Sequence, residues 1–288
     1  MKINANVKVS VNMPHTTRFA QIKARYDVDR AARAVKSPVA PGEVVSLALK
    51  EPWLAQAVAA MEAEYGLHGF VSSAGRPAHP DYASLSLTCN PHMTGDPHLS
   101  TLGCPAVSTE GHYYGKASAA VRDSYYDTYG FHTPTPAAKK HLAPLFARMK
   151  RSPVRSRLSV IRGGHAAPAS FCWGWHKDES VFENLRVNIH VTASPDHRIQ
   201  IMREDSMPTG VKNSRLAEHT FQAGVGYSWD TNLPHRACSL RQDAPDRAAI
   251  ILGFAPWFDH DPQTDEWVPN AFFGKKHPLQ MLLDGDVL

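Results

Sequence analysis

The 288-residue chain has no apolar run near the roughly 20 residues that a membrane-spanning helix needs. Its first residues, Met1-Lys2-Ile3-Asn4-Ala5-Asn6, lack the apolar core of a secretion signal, so a cytoplasmic location is the default expectation. CxxC spacing is missing as well. The four cysteines (Cys89, Cys104, Cys172, Cys238) are scattered, which argues against a structural zinc site and against a dense disulfide framework. Four reduced, mostly buried thiols are the expectation. No internal repeat and no low-complexity tract occurs. A strong charge of either sign is also absent: the net charge is +4, and no nucleic-acid-binding motif accompanies it. With 43% hydrophobic and 20% charged residues, the composition is that of an ordinary globular protein.

The small net charge is unevenly spread. Residues 1–50 hold nine Lys/Arg against three acids, a local +6, and the remainder is slightly acidic. Such an arm suits an anionic lipid surface or an acidic substrate, and equally a solvated terminal segment.

Texture divides the chain near residue 150. Before it, residues 15–36 suit an exposed or docked helix, and Ser37 to Val44 reads as a connector. A helix starts at Pro52, carries Trp53, Leu54, Val58, Met61 and Tyr65 at helical spacing, and stops at Gly66. Pro77 to Gly115 reads as long loops with short strands. A second helix is predicted from Thr135-Pro136 to Lys150, with Pro144 as an internal conflict. After Lys150 come short β-like runs: Leu158 to Ile161, Leu185 to Thr192, His197 to Met202, Thr220-Phe221, and Val225 to Trp229. The apolar run Ala248 to Phe254 suits a buried strand. The expectation is therefore a mainly β protein with flanking helices. Residues 1–150 form a helical, loop-rich region packed on a sandwich core at 151–288, the whole making one structural domain.

Within that β half lies Trp175-His176-Lys177-Asp178-Glu179. On extended backbone, residues two apart point to the same side, so His176 and Asp178 can reach one ion. His235 is the best third ligand, 59 residues on. Two imidazoles and one carboxylate leave adjacent coordination positions open, which suits Fe(II) oxygenase chemistry better than zinc. The jelly-roll or cupin sandwich hosts such a geometry. His-x-Asp alone is weak in a chain with 16 histidines, and Asp259-His260-Asp261 shows how readily the two residue types fall together. Arg247, 12 residues after His235, adds weight. A buried guanidinium there could clamp the far carboxylate of a dicarboxylate co-substrate, with Arg241 as competitor. Trp173, Trp175 and Trp229 are candidate pocket walls. Arg162, His165 and Lys177 are candidate contacts to an acidic substrate.

The runs Arg157-Leu-Ser-Val-Ile-Arg162, His176-Lys-Asp178-Glu-Ser, Glu183-Asn-Leu-Arg186-Val-Asn188-Ile-His190, His235-Arg-Ala and Arg247-Ala-Ala-Ile-Ile-Leu-Gly resemble the aspartyl/asparaginyl β-hydroxylase family. The resemblance spans about residues 155–260. It implies a double-stranded β-helix core, Fe(II) and 2-oxoglutarate as cofactors, dioxygen as co-substrate, and hydroxylation of an aliphatic C–H. It also implies 2-oxoglutarate contacts from Arg247, Arg186 and Asn188, although the family carries His where this chain has Asn188. Asp178 resembles the small-molecule or lipid-modifying branch, and within it the chain is similar to hydroxylases of the Kdo sugar of lipopolysaccharide. The expected substrate is a small molecule or lipid-linked sugar, and the expected location is cytoplasmic or peripheral to the inner membrane through the basic N-terminus. An amino-acid or peptidyl hydroxylase of the same family is the alternative. A non-catalytic cupin-like binding protein and an oxygen-independent isomerase or hydrolase are the rivals from other classes. Halogenases of this type replace the carboxylate ligand, so Asp178 argues against halogenation.

Overall fold

The computed structural model describes residues 17–49, 51–69, 82–92, 96–99, 127–161, 175–206, 215–241 and 244–288. Helices α1 (Arg18–Tyr26) and α2 (Val28–Ala34) fill the stretch read as helical. The Thr17 hydroxyl caps α1, and Asp27, in the left-handed region at φ 47°, ends α1 while its carboxylate caps α2. Strand β1 (Val45–Ala48) follows the Pro/Gly connector. Helix α3 (Trp53–Tyr65) runs from Pro52 to Gly66, as its end signals predict; Gly66 has φ 71°. Next come β2 (His68–Gly69), β3 (Tyr82–Ser86), β4 (Thr88–Cys89) and β5 (Thr133–Pro134).

The helix predicted to Lys150 is shorter and broken. Thr135 caps α4 (Pro136–His141), Leu142 interrupts it, and α5 (Ala143–Phe146) starts afresh with Pro144 in its first turn. Proline has no N–H to donate and is tolerated only in a first turn, so the chain makes two helices in place of one.

The β half is a succession of strands: β6 (Pro153–Ile161), β7 (Leu185–His190), β8 (His197–Met202), β9 (Leu216–Thr220), β10 (Val225–Ser228), β11 (His235–Ser239) and β12 (Arg247–Phe254). A hairpin, β13 (Phe258–Asp261) and β14 (Glu266–Pro269), and helix α6 (Pro278–Leu283) close the chain. Strands pair antiparallel throughout. The large sheet has the order β1-β10-β7-β12-β6-β3-β2, and a smaller one the order β11-β8-β9. An isolated bridge between His176 and His235 adds the backbone at residue 176 to the free edge of β11. From β6 onward the chain alternates between sheets: β6 in the large one, residue 176 beside the small one, β7 back, β8 and β9 across, then β10, β11 and β12 in turn. That alternation, with antiparallel pairing, is the double-stranded β-helix, so the expected fold class is what the chain adopts. Residues before 150 also enter the large sheet, as β1 at one edge and β3 and β2 at the other.

Period-two alternation sorts the large sheet into two faces. Leu158 and Val160 of β6, Val187 and Ile189 of β7, and Ala248, Ile250 and Leu252 of β12 belong to one buried cluster with Leu54, Val58 and Met61 of α3, Ala137 of α4 and Leu142 at its end. Residues of the opposite parity face the small sheet. Covering both faces explains why β12 is an almost unbroken apolar run. A second cluster, with Ile199 and Ile201 from β8 and Phe221, Tyr227 and Trp229, lies on the small-sheet side.

One expectation changes. Cys238 is disulfide-bonded, while Cys89 is free. Spacing along the chain does not reveal that bond. Of the basic N-terminal residues that are described, Arg18 pairs with Asp127 at 2.8 Å, Lys23 with Asp29 at 2.9 Å, and Arg30 with Asp27 at 3.1 Å. Lys2, Lys8 and Lys50 lie outside the described residues. No helix among the described residues is long and apolar enough to cross a membrane.

Candidate metal centre and its cavity

His176, Asp178 and His235 come together. One ligand atom from each lies within 4.8 Å of the others. Backbone pairing causes this. His176 and His235 exchange both hydrogen bonds of a narrow antiparallel bridge, N–H to carbonyl at 3.1 Å and 2.9 Å. Their side chains therefore stand side by side, with ring centroids 4.5 Å apart. The Asp178 N–H donates to the Thr231 carbonyl at 3.0 Å, and the Thr231 hydroxyl donates to the Glu179 carbonyl at 2.6 Å. These two bonds hold the 178–179 backbone against the turn that leads into β11.

Hydrogen bonds set the states of His235 and Asp178. His235 Nδ1 donates to the Leu233 carbonyl at 2.9 Å, which leaves Nε2 as the basic nitrogen; that atom is 3.4 Å from Asp178 Oδ2. Burial alone would raise the Asp178 carboxyl, but Arg186, His235 and His176 outweigh it and hold the group well below the ordinary carboxylate range. One guanidinium nitrogen of Arg186 donates to Asp178 Oδ2 and the other to Glu179 Oε2. Glu179 is also 3.4 Å from Arg155 Nη1, so two arginines and two carboxylates form a compact network beneath the ligands. Burial again opposes ionisation of Glu179, and Arg186 and Arg155 reverse it.

A cavity of about 90 Å³ opens beside the three ligands, between the two sheets. Three strands of the large sheet each contribute alternate residues: Arg157, Ser159 and Ile161 from β6; Arg186, Asn188 and His190 from β7; Arg247, Ala249 and Ile251 from β12. The pairing register sets Ser159, Ala249 and His190 in one row and Arg157, Ile251 and Asn188 in the next. Arg247 lies over the Phe221 ring at 5.3 Å. His190 stacks on the other partner of that contact, with ring centroids 3.7 Å apart and planes at 19°. Neither ring nitrogen of His190 has a hydrogen-bond partner among the described residues. Burial, then the charge of Arg247, pushes its pKa well below the usual histidine value, so the ring is neutral.

All six residues singled out in the sequence as ligands or cofactor contacts therefore line one cavity. Other candidates part company. Arg241 is exposed and does not line the cavity. Trp229 lines it, whereas Trp175 packs under the Arg236 guanidinium at 4.6 Å. Lys177 pairs with Asp205. Trp173, Arg162 and His165 lie outside the described residues. Sequence reasoning missed Arg157, His190 and Glu179. The period-two pattern of β6 and β7 would have placed the first two on the cavity side once those strands were known to flank β12.

No known family model matches the chain, and no curated protein matches it. Among solved structures the chain is similar to an oxidoreductase of the 2OG-Fe(II) oxygenase family from Burkholderia pseudomallei, at 14% identity over 79% of this chain and 89% of that one, with a TM-score of 0.37. It is similar to the non-haem α-ketoglutarate-dependent epimerase SnoN of nogalamycin biosynthesis, at 12% identity over 80% and 83%, TM-score 0.38. It is also similar to a prolyl hydroxylase from Trichoplax adhaerens in complex with a hypoxia-inducible-factor peptide, at 9% identity over 83% and 94%, TM-score 0.39.

Proposed function

We propose that this chain is an Fe(II)- and 2-oxoglutarate-dependent dioxygenase that hydroxylates an aliphatic C–H of a small anionic substrate. The observation that carries the reading is the convergence of His176, Asp178 and His235 at a cavity that also holds Arg247. The donor set fits the ion: two imidazole nitrogens, one with its tautomer already set by Leu233, and a carboxylate held ionised by Arg186. His176, Asp178 and His235 would hold Fe(II). When bound, the metal with 2-oxoglutarate and dioxygen supplies a two-electron oxidation of substrate, coupled to conversion of 2-oxoglutarate to succinate and carbon dioxide.

The chain's own residues bind and orient. Arg247 is the group for the far carboxylate of 2-oxoglutarate, with charge-assisted hydrogen bonds from a guanidinium backed by an aromatic face. Neutral His190, whose buried nitrogens lack partners among the described residues, stands beside it as a second donor. Arg186 fits a different task from the one its motif implies. Its two bonds to Asp178 and Glu179 support a role in orienting a metal ligand, while Asn188 keeps a place on the cavity wall. Trp229, Phe221 and Ile199 form the apolar side that limits water.

Arg157 supports the anionic substrate. It lines the cavity, and no described side chain pairs with its guanidinium. A carboxylated sugar such as Kdo, in lipopolysaccharide or free, and an amino acid both meet that requirement. The sugar is the choice to which the resemblance points.

Anaerobic titration with Fe(II) and 2-oxoglutarate tests the assignment. The expected result is a visible charge-transfer band that disappears in His176→Ala, Asp178→Ala and His235→Ala. Oxygen uptake dependent on 2-oxoglutarate, screened against carboxylated sugars and amino acids, then identifies the substrate class. Absence of the band in the wild-type protein, or its survival in His235→Ala, sinks the proposal.

A further inference from the structure

A second group of potential ligands lies outside the cavity. His132, between the one-turn helix Thr128–Gly130 and β5, meets His260 of β13 and Asp265 of the β13–β14 turn. One ligand atom from each lies within 4.8 Å of the others, and none of the three lines the cavity. His260 Nε2 is 2.9 Å from Asp265 Oδ1, and His132 Nε2 is 3.7 Å from the same oxygen. Four ligands at ~2.0–2.1 Å around zinc stand roughly 3.3 Å apart, and the two observed separations bracket that value. His92 Nε2 bonds the other oxygen, Oδ2, at 3.0 Å; its side chain is 60% exposed and would have to rotate to join the three-residue group.

A hydrogen-bonded cluster explains part of this, but it does not explain His132. That side chain is only 10% exposed, its Nε2 is buried without a hydrogen-bond partner among the described residues, and it points at a carboxylate just beyond bonding distance. Burying an acceptor or donor unmet is costly, and a cation between His132, His260 and Asp265 would satisfy all three groups at once. The two imidazole rings lie against one another with centroids 4.0 Å apart. Arg18 Nη2, 3.7 Å from Asp265 Oδ2, is the competing positive charge. Its other terminal nitrogen, Nη1, is already bound to Asp127 at 2.8 Å.

We infer that His132, His260 and Asp265, with His92 as fourth ligand, bind a divalent transition ion of the zinc type that ties the β13–β14 hairpin to the segments around β4 and β5. Three nitrogens and one carboxylate oxygen make a closed tetrahedral set, which is the signature of a structural site, not a catalytic one. The scattered cysteines exclude only zinc sites built on thiolates, and a His/Asp site escapes that argument.

The test uses the full-length protein stripped with a chelator and titrated calorimetrically with Zn(II) alone. Zinc also binds two imidazoles and a carboxylate, so the wild-type chain should take up two equivalents. His176→Ala combined with His235→Ala should leave one equivalent, and Asp265→Asn should remove the other. Asp265 is 43% exposed, so that variant is expected to fold; His260→Gln supplies a second variant. Zn(II) should raise the melting temperature of the His176→Ala/His235→Ala protein by ~5 °C and leave the same protein carrying Asp265→Asn unmoved. One equivalent that survives His176→Ala/His235→Ala and vanishes in Asp265→Asn supports this site even if the cavity binds no metal. The inference is overturned if Asp265→Asn and His260→Gln leave the stoichiometry unchanged, or if the His176→Ala/His235→Ala protein binds no zinc.

Discussion

Arg186→Met separates two roles for one residue. The Arg186 side chain is 8% exposed, and its two terminal nitrogens hold Asp178 and Glu179 together. Methionine keeps the length and removes the charge. Breaking a buried ion pair by removing one partner costs ~3–5 kcal/mol. The cost should fall at the lower end, about 3 kcal/mol, for two reasons. Asp178 is 27% exposed and gains some hydration, and Glu179 keeps Arg155 at 3.4 Å. That corresponds to a melting temperature lower by about 6 °C or more. Metal affinity should drop by ~10–100-fold, the usual effect of losing a partner that orients a ligand. Arg186→Lys should be intermediate, since one ammonium cannot span both carboxylates as the fork does. Urea denaturation gives the stability, and anaerobic Fe(II) titration gives the affinity. If Arg186→Met binds Fe(II) like the wild type and only raises the 2-oxoglutarate requirement, the orienting role is wrong and Arg186 belongs to the co-substrate, as the resemblance implied.

Arg247→Ala should raise the KM for 2-oxoglutarate by ~100-fold or more with Fe(II) binding unchanged, since a bidentate charge-assisted clamp contributes roughly 3 kcal/mol; an unchanged KM would move the clamp elsewhere in the cavity. Gly253→Ala should cost about 3 kcal/mol in urea denaturation, because its Cβ would lie 2.2 Å from the Val154 carbonyl oxygen, a backbone atom, and 2.5 Å from Asn184 Oδ1; a loss under ~0.5 kcal/mol would refute the packing. His277 caps α6 by accepting the Leu279 N–H at 3.2 Å, and burial lowers its pKa to about 4. The folded state therefore resists a proton that the unfolded chain accepts below ~6.5, so stability is lost as pH falls from ~6.5 to about 4, by roughly 3 kcal/mol in full. His277→Asn keeps a capping oxygen and should flatten that part of the stability–pH curve; identical curves would show that His277 is not the titrating group.

Local chemistry was legible in the chain alone wherever the signal is short-range. Pro52 and Gly66 bracket α3, Thr135 starts α4, and the β-branched and apolar runs mark β7, β8 and β12 within two residues of their ends. His176 and Asp178 were readable as a pair because extended backbone puts alternate side chains on one side. Arg247 was readable from its position at the start of a buried strand. Tertiary structure decided what depends on which segments lie beside each other. The bridge between residues 176 and 235 set His235, one histidine among 16, beside His176 and Asp178. The register of β6, β12 and β7 brought Arg157 and His190 onto the cavity wall, and the turn at Asp265 assembled His132 and His260 with a carboxylate that no local motif pairs with them. Backbone dihedral preferences act over a few residues, whereas strand pairing joins residues tens of positions apart, and only the folded sheets record those meetings.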